Sequence, residues 1–209
     1  MIPLVIVIFA IGSTSNSSTD NKSATPTASP SASATESASA SATPTEEATQ
    51  DPGYGSYPEA EAAFIKTIED GKVELDKAST DLQQSVVLRN RDKALCRILS
   101  SNRATNWTGV ITNVGANGEG KAYVEIEIAK DITIKTWNNA FSDISDNTLI
   151  PTSASFFNNL VSMKDGDLVT FSAKFLQGKN SCLKRANLTE IFYGFSPEFI
   201  VKFTDVKKS

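Results

Sequence analysis

The chain has 209 residues, with 20 basic and 24 acidic side chains, two cysteines and no histidine. The lack of histidine removes imidazole as a general base, as the partner of a Ser or Cys nucleophile, and as a metal ligand. Setting aside Lys22 and the acids Asp20, Glu36, Glu46, Glu47 and Asp51 leaves 19 basic and 19 acidic residues for a folded region, without the basic footprint of a nucleic-acid binder.

The stretch from Ile2 to Ile11 is apolar and runs into Gly12, with Ala10 and Gly12 as small residues before Ser13. This is the pattern of a secretory signal without its basic start. A helix of that length would span roughly 16 Å against a hydrocarbon core near 30 Å. Residues 1–12 therefore read as a clipped signal peptide rather than a membrane span. Lipid anchoring would need a cysteine where Ser13 stands.

Residues 13–57 read as a linker. Positions 13–51 hold no aromatic residue and no Ile, Leu or Val, so they cannot bury enough apolar surface to offset the entropy of ordering. Their Ser, Thr, Ala and Pro content suits an extended spacer and would also accept O-glycosylation. Together the two segments predict an extracytoplasmic protein, secreted or tethered at its N-terminus.

Residues 58–102 are predicted helical. Pro58 suits a first helical position, and Glu59 and Glu61 complement the helix dipole. Phe64, Ile68, Leu75, Leu82 and Val86 recur at steps of four and seven, an amphipathic stripe that packs on its own domain or docks a partner. Gly71 predicts a kink or break, and Asn90 a cap for a second helix over 91–99.

From Trp107 the period becomes two. Strands are predicted over 107–114, 122–128 and 132–137, with Val124, Ile126 and Ile128 on one face and Tyr123, Glu125 and Glu127 on the other. A polar loop over 138–152 leads to a helix over 153–163, whose Phe156 and Phe157 are expected to plug the sheet. Strands over 168–176, 187–193 and 198–203 follow. The predicted fold class is α+β, mainly β: a five- to six-stranded, OB-like Greek-key barrel over 103–209. Its helix lies between strands 3 and 4, and the N-terminal helical segment precedes it.

Asn106-Trp107-Thr108-Gly109-Val110, Lys135-Thr136-Trp137-Asn138-Asn139 and Gly166-Asp167 before Val169-Thr170-Phe171-Ser172 carry a resemblance. So do the 142–150 loop, Cys182 and Pro197-Glu198-Phe199-Ile200. As a set these resemble uncharacterised exported bacterial OB-fold-like domains, similar in turn to the tRNA-anticodon-binding-like OB families. The resemblance implies a fold and no activity.

Cys96 and Cys182 are expected to form a disulfide in an exported protein, against the alternative of two buried thiols. Zinc would need more ligands than two thiolates. On the OB plan the binding face crosses the second and third strands, which places Tyr123, Lys135, Trp137 and Asn138 as candidate ligand-binding residues. Trp137 would stack a base or sugar, or serve as a core-rim residue; Lys135 would hold a phosphate; Glu125 and Glu127 would repel a polyanion. Asn138, Asn139, Asp143, Asp146 and Asn147 lack the ligand spacing of a calcium loop and read as turn formers. No metal and no cofactor is expected. The predicted function is a non-enzymatic binding module for a protein or envelope glycan. The alternatives are an interaction protein docking through its N-terminal helix and a single-stranded nucleic-acid binder.

Overall fold

Two antiparallel helices lead the fold. Helix α1, Glu59–Lys77, follows Pro58 and buries Glu61, Phe64, Ile68, Gly71 and Leu75. Helix α2, Asp81–Ile98, is capped by Thr80, whose side chain accepts the Gln83 N–H at 3.3 Å. Gln83 reaches back to the Ser79 N–H at 2.8 Å, so a reciprocal cap starts the helix here. The predicted break at Gly71 and the predicted cap at Asn90 are both corrected: α1 runs through Gly71, and Asn90 lies inside α2. The cap also divides the predicted stripe. Phe64, Ile68 and Leu75 enter the core, whereas Leu82 and Val86, on a helix with a new phase, are exposed.

The computed structural model describes residues 53–209. The signal-like segment and nearly all of the predicted linker lie outside the described residues. At the start of the described chain, the Tyr57 hydroxyl donates to the Ile128 carbonyl at 2.8 Å. Among the described residues, no helix is long and apolar enough to cross a membrane.

Five strands follow: β1 Arg103–Ala116, β2 Ala122–Ala129, β3 Ile132–Lys135, β4 Leu168–Phe175 and β5 Glu198–Lys208. They close into a barrel in the order β1-β2-β3-β5-β4. All neighbours are antiparallel except β3 and β5. The closed barrel is compatible with an OB-like plan. Short helices α3 (Ala140–Asp143) and α4 (Phe157–Val161) lie between β3 and β4, and α5 (Glu190–Phe195) precedes β5.

Residues 187–193, predicted as a sixth strand, are corrected. Thr189 caps α5 by accepting the Phe192 N–H at 3.4 Å, and Ile191 and Phe192 are exposed while Tyr193 is buried. Neighbouring Ile191 and Phe192 therefore do not alternate as a strand would. The predicted 153–163 helix contracts to α4, where Leu160 is buried and Val161 exposed, with Phe156 buried at the N-cap just before it.

Strand alternation fills the barrel with Val124, Ile126, Ile128, Ile132, Ile134, Val169, Phe171, Phe175 and Phe199. Helix α1, rather than α4, supplies the central ring. Phe64 lies 5.1 Å from Trp107, 5.4 Å from Phe199 and 5.6 Å from Phe175, centroid to centroid. The helices and barrel thus share one apolar core. Cys96 of α2 and Cys182 of the β4–α5 connection form a disulfide with a Cα–Cα distance of 5.8 Å, as the two-cysteine count predicted.

Candidate functional site

The outer face of β2 and β3 is built by register. Glu125 stands opposite Lys135, and Lys135 lies between β2 and β5. The Lys135 ammonium is 2.9 Å from Glu125 and 3.4 Å from Glu198, with its side chain only 14% exposed. Its charge is satisfied by two carboxylates, so it is a cross-strand tie. Glu127 accepts the Asp131 N–H at 2.8 Å and braces the β2–β3 turn, where Asp131 takes a left-handed φ of 59°. Tyr123 stands opposite Gly115, and its ring lies over that glycine.

Trp137 is placed differently. Its backbone N–H donates to the Thr148 hydroxyl at 2.9 Å and its indole N–H to Asp146 at 2.6 Å. Asp146 also accepts Lys184 at 2.6 Å, and the Lys184 ammonium lies 6.0 Å from the Trp137 ring centroid. The half-buried indole is therefore fixed in orientation at the rim of the face. Asn138 beyond it is exposed and accepts from the Asn139 side chain at 2.9 Å. Of the four predicted residues, Trp137 and Asn138 share this rim, while Tyr123 and Lys135 are spent on strand contacts.

The oxygen-rich 138–147 loop is organised by its own bonds. Asn139 caps α3 through the Ser142 N–H at 2.9 Å. Buried Asp143 accepts the Thr148 N–H, the Thr148 hydroxyl at 2.7 Å and the Leu149 N–H at 3.2 Å. Asn139 thus acts as a helix cap, and Asp143 braces the chain five and six residues further on. Among the described residues no group of three or more His, Cys, Asp or Glu side chains is arranged to hold a metal ion.

Two buried polar groups escaped the sequence reading. Glu61 is fully buried, accepts the Thr108 N–H at 2.9 Å, and leaves its second carboxylate oxygen without a hydrogen bond. Burial pushes its pKa up to about 8, against the opposing pull of Thr108. Arg91, also buried, donates to the carbonyls of Gly194 and Tyr193, both at 2.8 Å, and lies over the Tyr193 ring at 4.5 Å. Burial lifts the Tyr193 hydroxyl well above the usual phenol range; Asp92 adds to the rise and Arg91 opposes it. Glu61 sits on the buried face of the α1 stripe, three residues before Phe64, and that phase was its only signal. Arg91 had none, since its partners are more than 100 residues away.

No family model matches this chain, and neither a curated protein nor a solved structure matches it. The closed five-strand barrel is compatible with an OB-like fold, and the finer family resemblance rests on the sequence motifs alone.

Proposed function

We propose that the protein is an exported, non-enzymatic, OB-like recognition module whose partner is a protein or a glycan of the cell envelope. The strand order, the parallel β3–β5 closure and the helical turns between β3 and β4 support the OB-like assignment. The disulfide supports an oxidising compartment. One observation carries the binding role: the Trp137 ring is oriented by Asp146 at the rim of the β2–β3 face, with exposed Asn138 beside it. A fixed aromatic face next to amide donors suits a sugar ring, because little ordering entropy remains to be lost on binding.

A glycan array with wild-type protein and Trp137→Ala tests this reading. Saturable binding that weakens about tenfold or more in the variant is expected, in line with roughly 1–3 kcal/mol for a stacked ring. Binding to single-stranded DNA in preference to every glycan, steeply lost with salt, would overturn it.

A second reading has its own observation. Leu82 and Val86 of α2, with Leu188 and the α5 residues Ile191 and Phe192, are all exposed. The Ser85 hydroxyl, 3.1 Å from Glu190, joins the two helices at this place. Such a patch fits protein docking or self-association. Light scattering that stays monomeric across concentrations removes self-association.

A further inference from the structure

We propose that the trough between α2 and the 177–185 loop is a binding site for an acidic polysaccharide, meeting the Trp137 rim only at Lys184, which Asp146 holds. Two hollows of about 640 and 520 Å³ share Arg89, Asp92, Gly178, Lys179, Asn180 and Ser181, and so make one continuous trough. On one wall, Arg89, Lys93 and Arg97 follow one another at steps of four and are all exposed. A rise of about 1.5 Å per residue spaces these charges about 6 Å apart along a single helix face. Lys179, Lys184 and Arg185 line the other side.

The net neutrality of the folded region hides this segregation. Among the described residues, Arg89, Lys93, Arg97, Lys179 and Arg185 form no ion pair, and every paired cation except Lys184 lies elsewhere. The trough's two acids, Asp92 and Glu190, accept the Tyr193 and Ser85 hydroxyls, and these two carboxylates are outnumbered by the five unpaired cations. Unpaired like charges along a concave wall repel one another and raise the local concentration of anions.

The trough is also held in shape. The Cys96–Cys182 disulfide ties the loop to α2. Within the loop, the Lys184 N–H donates to the Leu176 carbonyl at 2.7 Å and the Gly178 N–H to the Ser181 carbonyl at 3.0 Å. A β-carbon at Gly178 would lie 2.6 Å from the Leu183 carbonyl oxygen, so glycine permits the tight turn. A loop fixed in this way loses little freedom when it binds.

The lining distinguishes among polyanions. Single-stranded nucleic acids are held by cationic grooves with aromatic platforms for the bases. The one aromatic ring here, Tyr193, is 2% exposed and lies beneath the guanidiniums of Arg91 at 4.5 Å and Arg185 at 4.9 Å. No ring face is left for a base. Gln177, Asn180 and Ser181 instead offer neutral donors and acceptors beside the cations, matching a chain of hydroxyl groups punctuated by carboxylates or sulfates.

The test measures binding of the full chain to polygalacturonate, dextran sulfate, uncharged dextran and a labelled oligo(dT), at about 0.15 M salt. An Arg89→Gln, Lys93→Gln, Arg97→Gln variant is compared with a Lys130→Gln, Lys174→Gln, Lys207→Gln control of equal charge change. Binding to both acidic polysaccharides but not dextran is expected, about tenfold weaker in the trough variant and within about twofold of wild type in the control. A Lys179→Gln, Arg185→Gln variant on the opposite wall repeats the measurement should the helix variant fail to fold. Equal weakening by trough and control variants, no binding to either acidic polymer, or tighter binding to oligo(dT) would each overturn the proposal.

Discussion

Gly71 of α1 faces Arg91 of α2 so closely that a β-carbon on the glycine would lie 2.7 Å from the arginine Cδ. The arginine cannot swing away, because its guanidinium is held by the Gly194 and Tyr193 carbonyls. A helix-weakening residue is thus retained where the two helices cross over a buried cation. Gly71→Ala is expected to destabilise the fold by about 1–3 kcal/mol, the usual cost of overpacking, despite a gain of about 1 kcal/mol in helix propensity. Urea denaturation measures it, and an unchanged or raised midpoint would refute the close contact.

Arg91→Ala removes two charge-assisted bonds and leaves two buried carbonyls without their donors. The expected loss is about 3–5 kcal/mol, with Arg91→Lys recovering only part because one ammonium cannot match the two-pronged fork. Thermal melts of the two variants give the order directly.

Glu61 sets a pH dependence. Its carboxyl titrates near 4.5 when unfolded and near 8 when folded, so the folded state binds more protons between those values. The Glu61 contribution to stability is then full below pH 4.5 and is lost as pH rises towards 8. Glu61→Gln keeps an acceptor for the Thr108 N–H without the charge. It is expected to flatten that decline and to stabilise the protein at pH 7 by on the order of 3 kcal/mol. Denaturant midpoints between pH 4.5 and 8 provide the check, and parallel slopes for both proteins would refute the assignment.

Phe64→Ala empties the centre of the aromatic cluster formed with Trp107, Phe175 and Phe199. A loss of about 3–5 kcal/mol is expected. A barrel that folds independently of α1 would lose far less, which chemical denaturation distinguishes.

Reduction of Cys96–Cys182 opens a loop with a sequence separation of 86. About 4–5 kcal/mol of stability is expected to go with it on the chain-entropy account. Mass spectrometry of the unreduced, alkylated protein should show neither cysteine modified.

The strand segment 122–128 and the start of 132–137 were legible because Val124, Ile126, Ile128, Ile132 and Ile134 alternate with polar neighbours, whereas β3 ends at Lys135 and leaves Trp137 outside the strand. The α5 turn was missed because Ile191-Phe192-Tyr193 is a β-prone run whose cap, Thr189, was not weighed. The same neglect of a capping residue, Thr80, misplaced the start of α2. The candidate face was legible in position but not in role. Register showed that Lys135 points outward, whereas its two carboxylate partners come from β2 and from β5, 63 residues further along.

Local patterning alone determined the β-rich character of residues 103–209 and the leading helices, since side-chain period is a property of the chain, while the two cysteines offered a disulfide that tertiary structure had to close. Tertiary structure alone decided that Phe64 fills the barrel and that Trp137 is oriented by Asp146. It also decided that the cations of α2 face those of residues 179–185 across a trough. Those relationships join groups far apart in sequence, and a folded region whose basic and acidic residues balance in number carries no record of where folding will gather its charges.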